Sequence, residues 1–96
     1  MELESFQAHL ARLYGKKDRK RGMDGTFMYL IEEVGELATA LREGDKQEIA
    51  SELADVLAWT ASLAQLTGVD LAKAAQEKYA SCSGCARVPC ACRNKP

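Results

Sequence analysis

The sequence predicts an all-α protein, and three observations carry that prediction. Ala, Leu and Glu are abundant while Val, Ile and Thr are sparse, a composition that favours helices over strands. Apolar residues recur three and four positions apart through residues 3–14, 26–42 and 46–67, the spacing of one helical face. Residues suited to stopping or starting a helix fall between those stretches, namely Gly15, Gly44-Asp45 and Gly68, with Asp70 beyond. The expectation is a four-helix domain over residues 1–80, assembled as an oligomeric helical bundle, followed by a short cysteine-rich C-terminal tail over residues 81–96.

The first helix takes its core stripe from Leu3, Phe6, Leu10, Leu13 and Tyr14 and stops at Gly15. Residues 16–25 lack periodicity, hold five basic side chains and contain two glycines, which reads as a mobile basic loop. Asp24 or Thr26 then caps a second helix, whose core side carries Phe27, Leu30, Ile31, Val34, Leu37, Ala38 and Leu41. Gly44 suits the left-handed position just past its end. Asp45, with Glu48 three residues on, resembles a capping box for the third helix. Gly68 closes that helix, and Asp70 caps a shorter fourth one through Ala72, Ala75 and Tyr79.

The stretch from Val56 to Val69 has no charged residue, and Leu57, Trp59, Leu63 and Leu66 point in several directions around the helix. A helix that is apolar all round is buried on all sides. Three short neighbours could hardly cover it, so a second copy of the chain is expected to, giving a homodimer or homotetramer. A net charge of −1 provides no global field for nucleic acid or an anionic membrane, and no apolar run reaches membrane-spanning length. The start of the chain has neither the basic nor the apolar region of a secretory signal, so the expected location is cytoplasmic.

Four carboxylates are placed symmetrically about Gly44: Glu33 and Glu36 before it, Glu52 and Asp55 after it. An antiparallel hairpin turning there sets Glu36 level with Glu52, and Glu33 level with Asp55, the two levels about 4.5 Å apart. Residues three apart share a helix face, so each helix presents a pair. A solvated charged stripe is the plain alternative, but such stripes carry Lys or Arg three or four positions away, and here those positions hold none. Clustered carboxylates without a cation must protonate or bind metal, and hard ions such as Mg²⁺ or Mn²⁺ take oxygen ligands of this kind. Glu32 lies on the same side as Glu36 and could ligate a second ion or position a water.

The run Glu32-Glu33-Val34-Gly35-Glu36, followed after fifteen residues by Glu52-Leu53-Ala54-Asp55, has the form EExxE then ExxD and resembles the MazG-like all-α nucleotide pyrophosphohydrolases. The resemblance extends from residue 5 to about residue 80 and includes Arg21-Gly22 and the continuation Asp55-Val56-Leu57. It implies a Mg²⁺-dependent reaction that splits a nucleoside triphosphate between its α and β phosphates, releasing a monophosphate and pyrophosphate. Glu33, Glu36, Glu52 and Asp55 would then be the metal ligands and Glu32 would assist. The base is not legible; removal of altered nucleotides from the pool is one role compatible with the resemblance.

Lys16, Lys17, Arg19, Lys20 and Arg21 place five positive charges in six positions. They form either a solvated run or a grip on the β and γ phosphates. Trp59 falls four residues after Asp55, where it could stack on a base or belong to the core. Lys78 could reach a phosphate or complement the helix dipole. His9 has no visible partner and receives no role. Cys82, Cys85, Cys90 and Cys92 supply four thiols suited to a structural Zn²⁺, with free or redox-active thiols as the alternative. Two rivals stand beside the pyrophosphohydrolase reading. One is the related phosphoribosyl-ATP pyrophosphohydrolase activity, which Leu30-Ile31 disfavours; the other is a non-catalytic metal-binding interaction module.

Overall fold

The computed structural model describes residues 1–95. Its helices are α1 (Leu3–Glu43), α2 (Lys46–Leu66) and α3 (Leu71–Tyr79), with no strand among the described residues. The expected first and second helices are not parted by a loop but meet at a break in α1 at Gly22, and the expected basic loop over residues 16–25 is otherwise helical. Lys and Arg are good helix formers, and a single mid-helix glycine such as Gly15 costs only about 1 kcal/mol relative to alanine, so neither stops the chain. Thr26 does not cap a helix start either; it is fully buried within α1.

The interruption sits at Gly22, where φ is 81° and ψ is 175°. That backbone conformation is open to glycine and strained for other residues. A straight helix of 41 residues would run about 61 Å at 1.5 Å per residue, yet the longest dimension of the whole molecule is 43 Å. Gly22 thus divides α1 into an N-terminal arm (residues 3–21) and a C-terminal arm (residues 23–43) set at an angle.

Both arms pack on α2. The C-terminal arm forms the expected hairpin: Gly44 has φ 80° and its N–H donates to the Ala40 carbonyl at 2.9 Å. Asp45 caps α2 by accepting from the N–H groups of Gln47 at 2.9 Å and Glu48 at 3.4 Å. The N-terminal arm lies along the later half of α2, where Gln7 donates to the Val69 carbonyl at 2.9 Å and accepts from the Leu71 N–H at 3.0 Å. One side-chain amide thereby closes the backbone groups of the α2–α3 turn. Asp70 caps α3 through the Lys73 N–H at 3.1 Å.

The apolar core is small, with Leu10, Ala40, Ala61 and Ala64 its buried members. A single chain does not fully cover the uncharged stretch from Val56 to Val69, since Leu57 on α2 and Val69 in the turn beyond it are each 43% exposed. Phe27, Ile31, Val34 and Leu53 are exposed as well. Among the described residues no helix is long and apolar enough to cross a membrane.

Candidate active site

The bend at Gly22 fixes the position of the residue before it. Arg21 donates through Nη1 to Asp18 Oδ1 at 2.8 Å and to Thr26 Oγ1 at 3.4 Å, spanning the bend. A Cβ on Gly25 would lie 2.7 Å from Arg21 Cγ, so only glycine there lets the arginine stem cross the second arm. Asp18 is 3% exposed, and a buried carboxylate of this kind needs a cationic partner. The Arg21 guanidinium centre lies 4.8 Å from the Trp59 ring and 5.6 Å from the Tyr29 ring. Those two rings stack at 5.1 Å with 18° between their planes. The three distances form a nearly equilateral triangle, so Arg21 sits at the margin of the stacked pair. It does not cover the Trp59 face opposite Tyr29.

A cavity of about 610 Å³ opens between the N-terminal arm and α2. Leu10, Tyr14, Lys17, Asp18 and Arg21 line it from α1, and Asp55, Ala58, Trp59 and Ser62 from α2. Its size suits a small organic ligand, and its wall combines aromatic surface with cations. Of the five basic residues singled out in sequence, Lys17 and Arg21 reach this cavity. Lys16, Arg19 and Lys20 do not line it; they are exposed on other faces of the same helix. Lys78 is likewise not brought to it; its ammonium lies 5.8 Å from the ring of Tyr79. Trp59 is half-buried at the cavity wall, outside the core.

Beside the cavity, Glu33, Glu36 and Glu52 each place a carboxylate oxygen within 4.8 Å of the others. Glu33 and Glu52 are half-buried and Glu36 is exposed. Oε2 of Glu33 and Oε2 of Glu52 are both buried without a hydrogen-bond partner. Burial, then the close approach of the Glu36 and Glu52 carboxyls, then the charges of Glu36 and Asp55 push the Glu33 carboxyl up to about 7. Glu52 is also raised, chiefly by burial.

The four carboxylates are not one equivalent set. Glu36 and Glu52 do come together as the hairpin predicts, but Glu33 joins them and Asp55 lies outside the trio, facing the cavity. Residues three apart on a helix are rotated by about 60° from one another, so with Glu52 turned to the C-terminal arm, Asp55 turns toward the N-terminal arm. Its charge still raises both Glu33 and Glu52. Asp55 therefore links the acidic trio to the cavity. Glu32 is exposed and outside the trio.

Asp18 and Tyr29 escaped the sequence reading. Asp18 is the single acidic residue among residues 16–21 and stands three positions before Arg21, a spacing that signals a helical ion pair once the segment is read as helix. Nothing local marks Tyr29, whose partner Trp59 is thirty residues away.

No curated protein matches the chain. The family model of the MazG nucleotide pyrophosphohydrolase domain matches residues 21–81, a stretch that opens at Arg21, carries every carboxylate of the trio together with Asp55 and Trp59, and ends beyond α3. With the match spanning most of the chain and both halves of the acidic hairpin, the protein belongs to the MazG nucleotide pyrophosphohydrolase domain family.

Proposed function

We propose that the protein hydrolyses a nucleoside triphosphate between its α and β phosphates, with a divalent metal ion, to give a nucleoside monophosphate and pyrophosphate. The observation that carries this reading is the juxtaposition of two unlike surfaces. A carboxylate trio with two unpartnered buried oxygens adjoins a cavity walled by Lys17, Arg21 and Trp59, and Asp55, which lines that cavity, acts through its charge on Glu33 and Glu52 of the trio. Glu33, Glu36 and Glu52, with Asp55, would hold Mg²⁺ or Mn²⁺, because unpaired buried carboxylate oxygens suit a hard dication. When bound, such an ion neutralises phosphate oxygens and lowers the pKa of a bound water.

The chain's own residues supply the rest. Lys17 and Arg21 bind the outer phosphates, and Asp18 holds the Arg21 fork in one orientation. The Trp59 ring in the cavity wall accepts the base. A water oxygen forms the new bond to the α phosphorus, the bridging oxygen leaves with pyrophosphate, and the water's proton passes to a carboxylate oxygen of Glu36 or of the flanking Glu32. A second copy of the chain covers Phe27, Ile31, Leu53 and Leu57, making a homodimer or homotetramer, since an exposed apolar patch of that kind is atypical of a monomer.

Pyrophosphate release from a panel of ordinary, oxidised and deaminated triphosphates, with and without Mg²⁺, tests the reaction. Mg²⁺-dependent release of one pyrophosphate per monophosphate is expected, and release of orthophosphate instead would overturn it. Light scattering tests the assembly, where a monomer mass removes the second copy.

A further inference from the structure

The chain beyond α3 has a defined path with nothing apolar to hold it. No residue from 79 to 95 is buried, and the half-buried ones are Ser81, Cys82, Cys85 and Cys92. Even so the backbone closes on itself: the Ala86 N–H donates to the Cys82 carbonyl at 2.8 Å and the Cys82 N–H to the Arg87 carbonyl at 3.1 Å. Ala86 is held at φ 62°, in the left-handed region that a residue with a Cβ seldom enters. A short segment without a core needs a cross-link to keep such a shape.

The four cysteine sulfurs converge at the centre of this segment. All of them lie within 4.8 Å of one another, with Cys82 Sγ 3.3 Å from Cys90 Sγ and 3.8 Å from Cys92 Sγ. These separations exceed a disulfide bond of about 2.0 Å and bracket the edge of a tetrahedron whose centre is about 2.3 Å from each sulfur, which is about 3.8 Å. Backbone N–H groups point at the sulfurs: Gly84 N–H donates to Cys82 Sγ at 3.4 Å, Ala91 N–H to Cys85 Sγ at 3.3 Å, and Cys92 N–H to Cys90 Sγ at 3.3 Å. Such donors stabilise thiolate over thiol. Residues 80–96 contain no acidic side chain but do contain Arg87, Arg93 and Lys95, which offset the negative charge of a tetrathiolate dication complex.

We propose that Cys82, Cys85, Cys90 and Cys92 form a closed structural zinc site that folds residues 82–92 into a compact knob, separate from the carboxylate site and with no open coordination position. Four sulfur–zinc bonds form on binding, and the thiol protons are released to solvent. The proposal rests on no part of the catalytic reading.

The test uses full-length reduced protein passed through a desalting column in the presence of Mg²⁺. About one zinc per chain should remain, and the same amount should remain in the Glu33→Gln, Glu52→Gln double variant, which places it away from the carboxylates. Cys85→Ser and Cys92→Ser should each bring retained zinc close to zero. Cobalt(II) added to zinc-stripped parent protein should give the thiolate charge-transfer and d–d bands of a tetrahedral four-sulfur site, a readout independent of whether either variant keeps its shape. Zinc content unchanged by both serine substitutions would overturn the proposal. So would a cobalt spectrum without thiolate bands, or mass measurement of the freshly isolated protein showing the four cysteines paired as disulfides.

Discussion

Asp18 and Arg21 form a 2.8 Å ion pair on the last turn before the bend at Gly22, and through it a buried carboxylate decides which way a cavity-lining cation points. Replacing Asp18 by Asn keeps the shape but weakens the charge-assisted hydrogen bond. A loss of about 1.5–3 kcal/mol of stability is expected. KM for the triphosphate should rise because Arg21 is no longer held in one orientation, and double replacement with Arg21→Lys should add little beyond either change alone. Additive effects in that cycle would show the two residues to be uncoupled.

Lys17 and Arg19 separate two uses of positive charge on one helix. Lys17 lines the cavity and Arg19 does not. Lys17→Ala should raise KM several-fold with a smaller change in kcat, because phosphate contacts made equally in the ground and transition states appear as uniform binding. Arg19→Ala should leave both constants close to those of the parent. Equal effects from the two substitutions would assign the run to general electrostatic attraction, which added salt would then abolish.

Glu36→Gln removes the exposed member of the acidic trio. Turnover should fall by orders of magnitude, while the metal-free protein should melt at the parent's temperature or slightly above it, since one of several mutually repelling carboxylates is gone. Mg²⁺ should raise the melting temperature of the parent more than that of the variant. A destabilised variant with full activity would assign Glu36 to a structural role.

The raised Glu33 carboxyl gives the metal-free protein a pH dependence with a definite sign. The folded state holds its proton up to about 7, whereas an ordinary glutamate loses it near 4.5. Between those values the folded chain binds more protons than the unfolded one, so this group's contribution is fully present below the lower value and is lost as pH rises through about 7. Without metal, stability should decline from about pH 5 to about pH 8, with Glu52 acting in the same direction. Mg²⁺ should reverse the trend, because deprotonated carboxylates bind it and its stabilisation grows with pH. Thermal melts across that range, with Mg²⁺ and with a chelator, check both slopes, and Glu33→Gln should flatten the metal-free one.

What could be read from the sequence was whatever depends on neighbours along the chain. The turn at Gly44, the Asp45 and Asp70 caps and the pairing of Glu36 with Glu52 follow from local backbone preference and helical spacing, so the hairpin that carries the acidic trio was visible in advance. The tertiary structure alone decided how the basic segment is used. Whether Lys17 and Arg21 or Lys16 and Lys20 face α2 depends on helical phase, and that phase is set by the chain breaking at Gly22 and continuing through Gly15, a choice made by packing against α2. The same packing turned Asp55 out of the trio toward the cavity, brought Tyr29 onto Trp59, and paired Asp18 with Arg21 where a loop had been expected. Local propensity places a residue on a helix, but the direction its side chain faces is settled only when two helices bury surface against each other.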